Sequence, residues 1–163
     1  MKLRELTSND NLAYQGYKNA WHEKMVPTSS FTILPFNEFL QKLEDDKTNK
    51  HGNFVPAKTL FLFDDDQIVG SIQIRYALTK NLMVEGGHIG YGVNPKYRGL
   101  GYGTKLLKFG LESLQQNNIS TAVLTCDASN SNSRKIILTC NGVLDAQYTI
   151  NHSAKERYLI YLN

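Results

Sequence analysis

The chemistry most legible in the sequence is carried by backbone rather than by side chains. Residues 88–107, HIGYGVNPKYRGLGYGTKLL, hold five glycines, with a proline and an arginine among them. Glycine costs a strand or helix about 0.5–1 kcal/mol relative to alanine, so a cluster this dense has to serve something. Alternate residues of a strand share a face. In HIGYGV, His88, Gly90 and Gly92 fall on one face and Ile89, Tyr91 and Val93 on the other. The first face is nearly bare, which lets another backbone or an extended ligand lie close. Asn94–Pro95 ends the strand, Arg98 follows, and Gly99, Gly101 and Gly103 lead into a leucine-faced helix. The first turn of a helix offers unpaired N–H groups and a positive dipole end, a ready anion site. An arginine beside it adds charge and donors. The expectation is a diphosphate seated on this turn, with the rest of its molecule along the strand.

Two nucleotide patterns fit poorly. The P-loop order G-x-x-x-x-G-K-S/T fails because the chain reads Gly103–Thr104–Lys105. The dinucleotide pattern G-x-G-x-x-G begins at Gly99 and Gly101 but meets Thr104 at its third position, and no carboxylate follows at a matching strand end.

A third pattern fits. VNPKYRGLGYG resembles the Arg/Gln-x-x-Gly-x-Gly/Ala signature of the GNAT superfamily of acyl-CoA-dependent N-acetyltransferases, with Arg98, Gly101 and Gly103 at the signature positions. The apolar strand and NP before it and the amphipathic helix after it stand in the family's places. The resemblance implies that backbone groups near Tyr91, Gly92 and Val93 pair with the pantetheine arm of acetyl-CoA. It implies that N–H groups of Arg98, Gly99, Leu100, Gly101, Tyr102, Gly103 and Thr104 hold the diphosphate, and that two central strands splay to admit the thioester. The family's N-x-x-A/S pattern appears as Asn130 to Ser133, which the resemblance places against the cofactor; helix capping explains the same residues equally well.

Acyl transfer to an amine needs a free amine, a polarised thioester carbonyl and a fate for the departing thiolate. Many members of the family place a tyrosine four residues after the A/S position to protonate that thiolate; here it is Ile137. Glu85 and His88, at the start of the bare-faced strand, are the candidate bases, His88 for its intrinsic pKa. A solvated loop acid and a hydrogen-bonded structural histidine are the simpler readings of the two. Trp21, His22 and Glu23 stand where such folds build the acceptor pocket, and Trp21 as core with the other two on the surface is again simpler. Cys126 ends the second splayed strand, but no partner histidine nearby in sequence argues for an acyl-enzyme. Asp64, Asp65 and Asp66 read as a solvated turn, since consecutive acids converge poorly on one ion; no metal is expected.

The elements that must position these residues follow from pattern. KLREL reads as a first strand and residues 8–25 as a helix, capped by Ser8 or Asn9, with Leu12, Tyr17, Ala20, Trp21 and Met25 inward and Pro27 after it. Residues 35–49 form a second helix with Phe36, Phe39, Leu40 and Leu43 on one face. TLFLF and QIVGSIQIRYAL flank the DDD turn as a hairpin. GHIGYGV, the helix GYGTKLLKFGLESLQQNN, the apolar strand STAVLTC and a short helix closing at Asn141–Gly142 come next. Two strands, VLDAQYTI and KERYLIYL, complete one α/β (α+β) domain over residues 1–163, with a mixed, mostly antiparallel central sheet flanked by helices, as a GNAT-like acyltransferase fold requires.

Composition adds limits. The 163 residues carry 18 Lys and Arg against 15 Asp and Glu, a net charge of +3, scattered without a basic run, so nucleic acid is not the expected partner. No apolar run reaches a membrane span, and MKLRELTSND lacks the core of an export signal. Cys126 and Cys140 match no zinc or redox spacing and read as reduced, buried thiols in the cytoplasm. The expected function is acetyl-CoA-dependent transfer of an acetyl group to a primary amine, on a small molecule or on a peptide N-terminus or lysine, by direct attack in a ternary complex. The alternatives are a non-catalytic acyl-CoA-binding or sensing domain, which Ile137 favours, and a nucleotide-binding protein of another fold. The final strands could pair across a homodimer.

Overall fold

The computed structural model describes residues 1–23, 33–48 and 55–162. In chain order these form β1 (Lys2–Arg4), a 3₁₀ turn (Ser8–Asp10), α1 (Asn11–Asn19), α2 (Phe36–Asp46), β2 (Ala57–Asp64) and β3 (Gln67–Arg75). There follow α3 (Lys80–Val84), β4 (Ile89–Val93), a 3₁₀ turn (Pro95–Tyr97), α4 (Tyr102–Gln116), β5 (Thr121–Asp127), α5 (Ser131–Thr139), β6 (Val143–Ile150) and β7 (Ser153–Tyr161). β1-β2-β3-β4 make one sheet and β5-β7-β6 another, and every ladder among the described residues is antiparallel.

The apolar run of β2 is buried on both faces, as a strand covered by helices on each side must be. Leu60 and Leu62 face α4, where Ile72, Ile89, Leu106, Leu107 and Leu114 close the larger core. Phe61 and Phe63 face the other way, onto Tyr14 and Tyr17 of α1 and Phe36 and Phe39 of α2. Tyr14 stacks on Phe39 with ring centroids 4.9 Å apart. Gly110 lets α4 lie close on the sheet, since a Cβ there would meet Ile72 and Ile89 at 2.8 Å.

The first helix is shorter than its pattern suggests. α1 ends at Asn19, Leu12 is 86% exposed, and the inward residues are Tyr14 and Tyr17. Neither Ser8 nor Asn9 caps it: the Asp10 carboxylate accepts from the Thr7 N–H at 2.7 Å and is held by both terminal nitrogens of Arg4 at 2.7 Å. This fixes the helix start and so its face. Met25 and Pro27 lie outside the described residues. α3 is unforeseen: five residues capped by Thr79, whose Oγ1 accepts from the Leu82 N–H at 3.2 Å. It delivers Glu85, Gly86 and Gly87 to the base of the cleft. At the far end of α5, the left-handed residue is Asn141, with φ 64°, and Gly142 donates to Ile137 O at 2.9 Å.

Candidate active site

Arg98 has φ −66°, and Gly99 and Gly101 have φ +80° and +81°. A Cβ at either glycine would meet nothing within 4 Å. Backbone conformation, not crowding, demands glycine here: two left-handed residues follow the extended Arg98 (ψ 153°) and curve the chain around a concavity. Gly101 is the N-cap of α4, whose first turn carries no acid, so the concavity also receives the positive helix end. Gly103 serves differently. Its Cβ would lie 2.7 Å from Ile136 and 3.7 Å from Tyr91 and Val93, so it seats α4 against α5 and β4. A cavity of about 390 Å³ opens over this turn, lined among others by Trp21, Arg98, Gly101, Thr104, Asn130 and Ser133. The Arg98 guanidinium is paired with Glu23 at 2.6 Å, sits 5.2 Å from the Trp21 ring, and donates from Nε to Val93 O at 3.4 Å.

β4 offers its edge rather than its bare face. Asn94 N donates to Val69 O and Arg75 N to His88 O, so by the antiparallel alternation Gly90 and Gly92 bond to β3. The N–H and C=O groups of Ile89, Tyr91 and Val93 therefore point away from β3. The bare face is buried toward α1, where Gly92 pairs with Ser71 and Ser71 meets the Tyr17 hydroxyl at 3.0 Å. What was expected of the glycine face thus falls to the strand edge.

That edge meets β5 at one junction and then parts from it. His88 N donates to Val123 O at 2.8 Å, and Val123 N donates back to His88 Nδ1 at 2.9 Å. The imidazole takes the place of the carbonyl that a continuing ladder would supply. Gly87, at φ +62°, presses on the same point: a Cβ would lie 2.4 Å from Val123 O. Burial, with the Arg75 guanidinium nearby, holds the His88 pKa below the usual histidine value. With Nδ1 accepting, its proton resides on Nε2.

Beyond the junction a second cavity of about 270 Å³ lies between residues 89–91 and 124–127. Glu85 lines it, half exposed and 2.7 Å from Lys155 Nζ, which also meets Asp127 at 2.5 Å. Cys126 and Ile137 line it too. Burial pushes the Cys126 thiol up to about 11, the opposite of an activated nucleophile; both cysteines are free and buried. Asn130 caps α5, its Oδ1 accepting from Ser133 N at 3.0 Å, and Ser133 Oγ lies 3.2 Å from the Tyr91 hydroxyl. These three residues line both cavities.

The structure therefore gathers residues 91–93, 97–99 and 101–104 with Asn130 and Ser133 around one cavity and sets Glu85 on the other, whereas His88, buried at the junction, and the exposed Leu100 line neither. Trp21 and Glu23 join the glycine-turn end through Arg98. Lys155 and Asp127 were missed; they meet because the β5–β7 register pairs them directly, and no local signal announces a register between distant strands.

Two antiparallel sheets flanked by helices, parted beside a glycine turn into α4, form the mixed α/β architecture of an acetyltransferase. Residues 15–140 match the model of the acetyltransferase (GNAT) family, and the chain belongs to that family, whose chemistry is acetyl transfer. No curated protein matches the sequence. Among solved structures it resembles yncA from Salmonella typhimurium, determined with its cofactor acetyl-CoA: TM-score 0.69 and 12% identity over 99% of this chain and 94% of that one. It also resembles RimL, a ribosomal protein alpha-N-acetyltransferase in complex with coenzyme A, with TM-score 0.70 and 16% identity over 98% and 93%. A spermidine N-acetyltransferase chimera of Vibrio cholerae SpeG and hSSAT gives TM-score 0.66 and 16% identity over 99% and 96%. At these identities the likeness is one of fold. Among the described residues no helix is long and apolar enough to cross a membrane.

Proposed function

We propose that this chain is an acetyl-CoA-dependent N-acetyltransferase, one domain over residues 1–163 working in the cytoplasm, that moves an acetyl group to a primary amine by direct attack in a ternary complex. The observation that carries the reading is the continuity of the cleft. The turn from Arg98 to Thr104 offers N–H groups to a diphosphate, the free edge of β4 runs from it, and the neck at Tyr91, Asn130 and Ser133 opens into the gap between β4 and β5. A pantetheine arm bonded to the outward groups of Tyr91 and Val93 brings its thioester into that gap. Relatives of the same fold hold acetyl-CoA or coenzyme A, and act on a protein N-terminus or on spermidine. An amine on a small molecule or a peptide is accordingly the acceptor; metal and nucleic acid have no part in this reading.

The acceptor amine attacks as the free base, entering opposite the pantetheine arm, where Glu85 lines the gap. Glu85 accepts the proton the amine loses, directly or through water, and Lys155 holds that carboxylate in place. His88 has Nδ1 committed to Val123, so its part in proton transfer would run through Nε2. One observation favours a second reading: Ile137, 1% exposed, fills the position of the family's phenol, as a domain that binds acyl-CoA without turnover would allow.

Thermal unfolding with acetyl-CoA, ATP and NAD, followed by thiol release across a panel of amines, separates these readings. Ligand at 100 times its Kd adds about 2.7 kcal/mol, roughly 5–10 °C for a chain of this size. A shift with acetyl-CoA and thiol release with at least one amine class is expected. A shift without release favours the sensing domain; a larger shift with a nucleotide overturns both.

A further inference from the structure

Ser133 and Ile137 lie one turn apart on α5, and both line the gap between β4 and β5. Position 137 offers only aliphatic carbon. The gap nevertheless contains a phenol, contributed by its other wall. Tyr91 projects from β4 with Oη 3.2 Å from Ser133 Oγ, and Tyr91, Asn130 and Ser133 are shared by the two cavities. A molecule with its diphosphate on the Arg98–Thr104 turn and its acyl group in the gap has to thread past all three, which sets its sulfur at this neck. We infer that Tyr91 Oη donates a hydrogen bond to the sulfur as the acyl group leaves it, supplying from β4 what position 137 cannot supply from α5, and that Ser133 positions the phenol. The inference rests on the acyl-transfer reading.

The step balances. The amine nitrogen forms a bond to the carbonyl carbon, the C–S bond breaks, and its electron pair goes to sulfur. The phenol O–H faces the new negative charge. The surplus proton on nitrogen leaves to Glu85 or water, and the sulfur takes one from water as the free thiol departs. Ser133 N is bound to Asn130; when its hydroxyl donates to Oη, the phenol proton is free to point into the neck. Burial pushes the Tyr91 phenol up to about 12, well above the roughly 8.5 of an ordinary thiol. Tyr91 therefore keeps its proton and acts as a hydrogen-bond donor, in the manner of an oxyanion-hole group. The other candidates in the gap serve less well. Lys155 is held by two carboxylates, and Cys126 is a weak donor.

The test titrates the thiol of bound coenzyme A by the ultraviolet absorbance of its thiolate, so it needs no acceptor. A donor at the sulfur stabilises the thiolate and lowers its pKa. Y91F is expected to raise the bound thiol's pKa by about one unit with little change in coenzyme A affinity; identical titrations in the two proteins overturn the inference. Should Y91F fail to bind coenzyme A, S133A decides: a smaller upward movement supports the positioning role and none overturns it. With an amine found to release thiol, Y91F should lower kcat about 100-fold while the KM for acetyl-CoA hardly moves; unchanged kcat overturns it. If the wild-type protein binds no coenzyme A, the functional reading fails first, and that failure is visible before any variant is made.

Discussion

The two ends of the cleft are built from different material. At the Arg98–Thr104 end, one stretch from Tyr91 to Thr104 supplies much of the wall, and Gly99 and Gly101 are there because of the angles they adopt. At the end between β4 and β5, the wall is drawn from distant segments, the α3–β4 loop, β4, β5, α5 and β7, and side chains such as Glu85, Cys126, Ile137 and Lys155 define it. The difference teaches where each half is fragile. A backbone site tolerates change in side chains but not in torsion angles, and a side-chain site the reverse.

The sharpest way to break that contrast is G101V. A β-branched residue at φ +81° lies in a region that L-residues with branching essentially avoid, so the turn cannot keep its path into α4. Acetyl-CoA affinity should fall at least 100-fold, seen as loss of the ligand-induced thermal shift, while the free protein unfolds only a few degrees lower. Retention of the wild-type shift would show that the diphosphate sits elsewhere.

The junction that opens the gap answers to a side chain instead. H88L leaves the buried Val123 N–H without an acceptor, which costs about 1–3 kcal/mol in urea unfolding. The pH dependence gives an independent check. Because the folded pKa of His88 lies below its ordinary value of 6.5, the unfolded chain binds the proton more readily. Stability is therefore full above that value and declines as pH falls through it toward the folded pKa. H88L should flatten this limb. The loss tied to Asp10, which Arg4 holds down at about 2 from 3.8, falls at lower pH and should remain. An unchanged limb near pH 6 in H88L would mean that the imidazole does not carry the junction.

Legibility in the sequence follows the same division. The glycine turn, the α4 face of Leu106, Leu107, Leu111 and Leu114, and the β2–β3 hairpin across the acidic turn depend on local spacing and are where the pattern puts them. α1 departs because Arg4 and Asp10 set its start, a contact between segments that periodicity does not register. Lys155 beside Glu85 and Asp127 depends on strand register across 28 residues of chain, and His88 standing in for a carbonyl depends on where β5 arrives. The direction of the Tyr91 ring is set by packing between segments: Gly103 leaves it room and Ser133 meets its hydroxyl, and strand alternation gives only the face from which it starts.

R98A probes a side chain within the backbone half. Losing a charged donor there should weaken coenzyme A about 10-fold, with little effect on pantetheine fragments that lack the diphosphate. Equal losses across that series would make Arg98 a purely structural partner of Val93 and Trp21.

The smallest effect concerns Glu23, which occupies the Arg98 guanidinium at 2.6 Å. For Arg98 to face a diphosphate, that pair has to open. Both side chains are more than two-fifths exposed, so water and salt screen the pair, and breaking such a contact costs about 0.2–1 kcal/mol. E23Q removes the competing charge while keeping the shape, and should tighten coenzyme A binding by about two- to fourfold, with the gain shrinking as salt is raised. In an R98A background the same change should do nothing, since the competition has lost its object. Tighter binding in both backgrounds would locate Glu23's influence in the general field over the turn. Weaker binding in the first would show that Glu23 holds Arg98 ready for the diphosphate instead of away from it. Either result would fix how much of this end of the cleft depends on charge and how much on the backbone turn that Gly99 and Gly101 shape.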